Sequence, residues 1–143
     1  MKISIEQIPI IQILSKPILQ EVDNKKCYWN KTTIKPHNYI EKEYNINQKR
    51  AVINTIINNL FVGNIYWYKN KNSFDMLWGQ QKVISIISYE NNEFTANSLL
   101  FKELSIQRQE QIYNHKLHVV IGDNFDECIE WIKVLQVGIK NEN

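Results

Sequence analysis

A short segment near the middle of the chain has the residue types of an anion-binding turn. Residues 76–86 read MLWGQQKVISI: apolar residues lead to Gly79, two glutamines and Lys82 follow, and apolar residues return at helical spacing. A strand that stops at a glycine and passes into a helix directs free backbone N–H groups at the turn. Lys82 adds a positive charge. The pattern predicts contact with a phosphate, with a ligand-free strand-to-helix turn as the alternative.

Histidines and cysteines give weaker patterns. His115 and His118 are three residues apart at the start of a predicted strand, where they would face opposite sides, so we expect no metal site there. Cys27 and Cys128 lie far apart, and neither belongs to a C-x-x-C pair. We expect two reduced structural thiols, because disulfides are uncommon in the cytosol.

Tyrosines on a predicted hairpin form a second candidate site, for a partner protein. The runs IYWYK (65–69) and FDMLW (74–78) flank a turn-like NKNS segment and predict a β-hairpin. Strand alternation places Tyr66 and Tyr68 on the face opposite Trp67. We expect these two tyrosines to be exposed and to form a partner surface, with a position in the core as the alternative.

Length and composition restrict the class of protein. The chain has 143 residues and a mass of 17.1 kDa, which suits one domain, and we predict a single domain over residues 1–143. No apolar run approaches the ~20 residues of a bilayer span, and the start MKISIEQIP lacks the features of a signal peptide. We therefore expect a cytoplasmic protein with no membrane partner. A net charge of +2 leaves only a local patch for nucleic acid.

Hydrophobic periodicity predicts interleaved strands and helices. Helices are predicted at residues 46–60, 80–91 and 105–114, and a last one after residue 124 that ends at Gly138. Extended segments are predicted at 3–5, 8–14, 28–34, 65–69, 74–78 and 116–121, with a polar turn at 23–26. Pro9 and Pro17 argue against a helix between them. The order predicts the α+β class, with a small mixed sheet, a β-hairpin and about four helices.

Four segments, in order and at matching spacing, resemble one family. They are RAVINTII (50–57), IYW (65–67), GQQKVISI (79–86) and WIKVLQVG (131–138). The chain resembles, over residues 34–138, the ParB/sulfiredoxin-like domain at the N-terminus of GmrSD-type modification-dependent restriction proteins. The resemblance implies that fold. It also implies a turn, IDGQQR in the family, that binds and hydrolyses nucleoside triphosphates and is coupled to a nuclease in a separate HNH domain.

The chain departs from the family pattern where that chemistry is expected. Trp78 stands in place of the family's aspartate, a potential metal ligand, and Lys82 replaces an arginine and loses its bidentate geometry. The family's Gln-Arg pair falls on Tyr39 and Ile40, and we expect no HNH domain. We predict no catalytic residue, metal or cofactor. The resemblance implies a vestigial phosphate or nucleotide pocket formed by Trp78, Gly79, Gln80, Gln81, Lys82 and Arg50.

Three functions follow as expectations. We favour a non-catalytic interaction protein, a degenerate stand-alone copy of this domain. It would bind a nuclease or nucleoprotein partner and serve a phage or mobile element against restriction or CRISPR defence. The second is a nucleotide-dependent restriction component, an NTPase or nuclease, in which Glu41, Glu43 or Asp75 supplies the missing carboxylate. The third is a ParB-like DNA-binding module that uses Lys82, Arg50 and neighbouring lysines.

Overall fold

The described part of the chain contains a five-stranded mixed sheet, a separate two-stranded sheet and five α-helices. This computed structural model describes residues 1–14, 17–22, 25–30, 34–36, 41–70 and 73–141. The strands are β1 (Ile3–Pro9), β2 (Pro17–Val22), β3 (Lys25–Asn30), β4 (Ile34–Pro36), β5 (Asn64–Asn70), β6 (Ser73–Trp78) and β7 (Lys116–Gly122). The helices are α1 (Ile10–Leu14), α2 (Ile46–Ile57), α3 (Gln80–Glu90), α4 (Ile106–Asn114) and α5 (Phe125–Asn141), with a 3-10 turn at Phe101–Glu103. The interleaved order confirms the α+β class.

The predicted hairpin lies within the main sheet. The strand order is β1-β7-β5-β6-β4, in which β5 pairs with β6 antiparallel, as predicted, and with β7 in parallel. Strand β1 pairs with β7 antiparallel and forms one edge, while β4 pairs with β6 in parallel and forms the other. Strands β2 and β3 pair only with each other among the described strands.

One face of the main sheet carries the larger core. Asn45 caps the start of helix α2: its side chain accepts from the N–H of Gln48, and the Gln48 side chain accepts from the N–H of Asn45. This reciprocal pair fixes the start of the helix. The buried faces of α2 and α3 then pack with Trp67 and Met76 from the hairpin. These helices therefore fix the position of the turn that precedes α3.

Helix α5 covers the opposite face. It starts after Asn124, whose side chain accepts from the N–H of Glu127 at 3.0 Å, as the predicted cap requires. Cys128 and Ile132 are fully buried against Leu77. The helix packs on β5, β6 and β7. No helix in the described ranges combines the length and apolar character that spanning a bilayer requires.

Two local predictions are wrong. Residues Ile10–Leu14 form a helix instead of a strand, because Ile10, Ile13 and Leu14 have helical spacing and are buried, and Pro9 only precedes the first turn. Gly138 lies inside α5, which continues to Asn141. A glycine inside a helix lowers the stability of the helix by about 1 kcal/mol relative to alanine. It ends the helix only when it adopts a C-terminal cap conformation.

Several sequence predictions fall outside what the structure describes. They concern residues 23–24, 31–33 and 37–40, Lys71, and the side chain of Cys27. In the polar turn predicted at 23–26, Lys25 and Lys26 belong to β3. In the segment predicted at 28–34, β3 ends at Asn30 and β4 begins at Ile34.

Candidate functional site

The GQQK turn connects β6 to α3, as the sequence predicted. Gly79 is the residue at the helix N-cap and has φ +98°, in the left-handed region that glycine adopts without steric cost. A Cβ atom at this position would lie 2.8 Å from Cγ1 of Ile65 in β5. Both the backbone conformation and the packing against β5 therefore require a glycine here.

The carboxylate of Glu41 lies where an anion would bind at the start of α3. The N–H of Gly79 donates to Oε2 of Glu41 at 3.1 Å, and the N–H of Gln81 donates to Oε1 at 2.7 Å. The Glu41 residue is only 7% exposed. A carboxylate at this position satisfies free N–H groups and complements the positive end of the helix dipole. The acceptor at the turn is therefore a side chain of the same protein, the carboxyl group of Glu41.

Burial and charge have opposing effects on the ionisable groups around the turn. Burial raises the pKa of Glu41, while the N–H groups of Gln81 and Gly79 and the charge of Lys82 act to lower it. Burial lowers the pKa of Lys82, and the negative charge of Glu41 acts to raise it. Burial, followed by the same negative charge, raises the pKa of Tyr44 to about 12. Lys82 therefore compensates the buried carboxylate.

The two glutamines of the motif hold the turn closed. Oε1 of Gln81 accepts from the backbone N–H of Tyr44 at 3.1 Å, which ties the segment carrying Glu41 to α3. Nε2 of Gln80 donates to the carbonyl of Met76 at 3.2 Å. Both glutamines are buried. Their amides therefore bind backbone groups of this chain.

Trp78 does not line the turn, which corrects its predicted place in the pocket. Across the hairpin, Trp67 pairs with Met76 but Tyr66 pairs with Trp78, so Leu77 is an extra residue in β6. Regular alternation would direct Trp78 to the same face as Met76. The bulge at Leu77 turns Trp78 to the opposite face, where it packs beneath α5 and is 9% exposed.

Arg50 makes a separate contact. Its Nε donates to the carbonyl of Thr95 at 3.0 Å, which ties α2 to the segment after α3. Residues 79–82 therefore lie together at the turn, whereas Trp78 and Arg50 make contacts elsewhere. Both cations named for DNA binding, Arg50 and Lys82, interact with groups of their own chain.

Sequence reasoning missed the role of Glu41. It considered this residue only as one of three replacement carboxylates for catalysis. Of the other two, Glu43 is exposed, and Asp75 lies within β6, opposite Tyr68 of β5. The only signal for Glu41 came from the resemblance, in which Glu41 keeps the character of the family residue at its position, whereas Tyr39 and Ile40 replace the family's Gln-Arg pair just before it.

The tyrosine surface predicted on the hairpin is covered by α5. Tyr66 and Tyr68 do lie on the face opposite Trp67, as predicted. The ring centroid of Tyr66 lies 5.7 Å from that of Trp131, and the ring of Tyr68 lies 5.4 Å from that of Phe125. Both tyrosines are half-buried, so the expectation that they are exposed is wrong.

An open cavity of about 470 Å³ lies at the start of β7. Its lining residues are Gln7, Asn59, Leu60, Phe61, Asn114, His115, Lys116 and His118. The prediction that His115 and His118 face opposite sides is wrong, because His115 precedes the strand and both line this cavity. Nδ1 of His115 lies 3.3 Å from Oδ1 of Asn59, and the ring of His118 lies 4.9 Å from that of Phe61. Within the described ranges, no group of three or more His, Cys, Asp or Glu residues could hold a metal ion.

The resemblance to the ParB/sulfiredoxin-like domain stays a prediction based on four sequence segments. The turn itself contains two N–H donors, one buried carboxylate and one compensating lysine. Comparisons of the chain with protein-family models, with curated proteins and with solved structures give no match.

Proposed function

We propose that the protein is a non-catalytic interaction protein of the cytoplasm that binds a nuclease or nucleoprotein partner. In the specific form of this proposal it is a degenerate ParB/GmrS-like domain with which a phage or mobile element inhibits restriction or CRISPR machinery. The proposal of a non-catalytic role is supported by the Glu41 carboxylate, which binds the N–H groups of Gly79 and Gln81.

Occupation of the turn by Glu41 opposes nucleotide binding in two ways. A phosphate would have to replace both hydrogen bonds to the carboxylate, which is 7% exposed. If Glu41 stayed in place, the phosphate would bring more negative charge beside a buried carboxylate. Like charges in a buried site repel strongly. The turn therefore supports a structural role.

Exposed apolar residues beside the cavity supply a surface for a protein partner. Leu60 and Phe61 follow α2, and each is 59% exposed. They line the cavity together with His115 and His118. Grouped exposed apolar side chains with a polar rim are typical of protein interaction sites. This surface takes the place of Tyr66 and Tyr68, which α5 covers.

An inhibition assay tests the partner class. Bacterial strains with defined restriction or CRISPR systems are challenged with phage, with and without the protein, and purified nuclease complexes are tested for direct binding. We expect inhibition of a nuclease system by the unmodified protein and loss of inhibition in the double variant Leu60→Ala/Phe61→Ala. Ile106→Ala is the matched control, because Ile106 is 73% exposed on a different element. Inhibition that survives the double variant contradicts the surface, and no effect on any nuclease system contradicts the partner class.

One observation favours the enzymatic alternative. Glu41 is a buried carboxyl group whose pKa is raised by burial, beside Lys82, and such groups are typical of catalytic sites. In this alternative Glu41 would leave the N–H groups to a nucleotide and act on it. Magnesium-dependent nucleotide turnover that is lost in Glu41→Gln would establish the alternative.

A further inference from the structure

Strand β1 forms an edge of the main sheet and has little cover on either face. Residues 3–7 are all exposed, and two of them are large apolar side chains, with Ile3 at 52% and Ile5 at 69% exposure. Natural edge strands usually carry charges, prolines or bulges that prevent pairing with another chain. Here Glu6 is the only charged residue of β1, and its only proline, Pro9, is its last residue.

The backbone groups that face outward can be identified from the ends of the strand. The N–H of Lys2 donates to Oδ1 of Asp123, which follows β7, and the N–H of Ile10 donates to the carbonyl of His115, which precedes β7. Both groups therefore point toward β7. Because hydrogen-bonding direction alternates along an antiparallel strand, the N–H and C=O groups of the odd-numbered residues Ile3, Ile5 and Gln7 point outward.

We propose that this edge binds a second copy of the same chain, antiparallel, with Ser4 opposite Ser4 of the second copy. In this register Ile3 lies opposite Ile5 of the second copy, and the backbone N–H of each residue donates to the backbone C=O of the other. Lys2 lies opposite Glu6 of the second copy. Twofold symmetry repeats both contacts, so the interface has two pairs of opposite charge and four isoleucines on one face.

Charge and side-chain pairing select this register over its neighbour. Centring the pair on Ile5 would place Lys2 opposite Ile8 and Ile3 opposite Gln7, which leaves both charges without opposite partners. The face that carries the isoleucines is open at this edge: Ile5 pairs with Val120, on the α5 side of the sheet, and α5 packs on β5, β6 and β7. The edge is therefore accessible to a second copy.

The mass of the protein in solution tests the assembly, by light scattering and analytical ultracentrifugation across a concentration series. We expect the unmodified protein to reach twice the 17.1 kDa chain mass and Ile5→Lys to remain at the chain mass. Circular dichroism checks that the variant is folded, which we expect because Ile5 is exposed. An unmodified protein that is monomeric at every concentration overturns the proposal and leaves the edge to a strand from another protein.

A charge exchange tests the register. Lys2→Glu and Glu6→Lys each place like charges opposite one another twice, and each is expected to weaken the dimer roughly tenfold. The double variant Lys2→Glu/Glu6→Lys restores both pairs and should restore the dimer. Glu110→Lys, at an exposed position on α4, is the matched control. Dimerisation that is unchanged by the single variants, or not restored in the double variant, overturns the register. This inference does not depend on the proposed function.

Discussion

Replacing Glu41 with alanine leaves two N–H donors at the start of α3 without the carboxylate that binds them. A buried donor without a partner costs about 1–3 kcal/mol, so the N–H groups of Gly79 and Gln81 together cost about 2–6 kcal/mol. Removing the carboxylate also relieves the cost of burying it, which is the dominant influence on its pKa. We expect a net loss of about 2–4 kcal/mol in the free energy of unfolding. A domain of ordinary stability, about 5–15 kcal/mol, would stay folded.

The same variant should acquire an anion site. Without the carboxylate, the two N–H groups and Lys82 can bind inorganic phosphate or sulfate. A ligand that binds only the folded state at about 100 times its Kd stabilises it by about 2.7 kcal/mol, which would restore most of the loss.

Thermal unfolding followed by circular dichroism is the assay, with phosphate titrated against chloride at constant ionic strength. We expect the Tm of Glu41→Ala to start about 10 °C below that of the unmodified protein and to rise with phosphate. The Tm of the unmodified protein should not respond. Glu43→Ala, which removes an exposed carboxylate from the same segment, is the control and should behave like the unmodified protein. Equal responses to phosphate in all three proteins would refute the idea that Glu41 occupies an anion site.

Three further predictions follow from the turn and its surroundings. Burial raises the pKa of Glu41 above its ordinary 4.5, so the folded state keeps the Glu41 carboxyl group protonated to higher pH than the unfolded state does. The stability that this protonation contributes is complete below pH 4.5 and is lost as the pH rises through the raised pKa. Urea denaturation should therefore show the stability of the unmodified protein falling relative to that of Glu41→Gln across that range. Gly79→Ala should lower the stability by about 2–4 kcal/mol, because φ is +98° and the new Cβ would lie 2.8 Å from Ile65, and chemical denaturation would show a loss below about 1 kcal/mol if that strain were absent. Trp78→Asp should abolish the cooperative thermal transition, because it buries a charge beneath α5, while Trp78→Phe should keep it; a folded Trp78→Asp protein would contradict the orientation of that ring.

Local sequence patterns were enough to predict the elements that carry the turn. Helices α2 and α3 have clear apolar faces, and the hairpin has two aromatic runs separated by turn residues. Helix α1 was missed because it has only five residues, too few for periodicity to outweigh the prolines on either side. Short apolar runs do not distinguish a strand from a helix.

The contacts that determine the chemistry of the turn come from distant parts of the chain. Glu41 is 38 residues from Gly79 and 40 from Gln81, and no local pattern joins them. The orientation of Trp78 depends on a bulge that only the pairing of β5 with β6 reveals. Alternation correctly separated Tyr66 from Trp67, but it could not show that α5 covers the tyrosine face.

The most direct test of the central claim is nucleotide binding and turnover by the unmodified protein with magnesium, using ATP, GTP and CTP. Calorimetry measures binding, and phosphate release measures turnover. With Glu41 bound in the turn, we predict neither binding nor turnover, and we predict phosphate binding only after Glu41→Ala. Turnover by the unmodified protein that disappears in Glu41→Gln would contradict a non-catalytic function and show that Glu41 is a catalytic carboxylate.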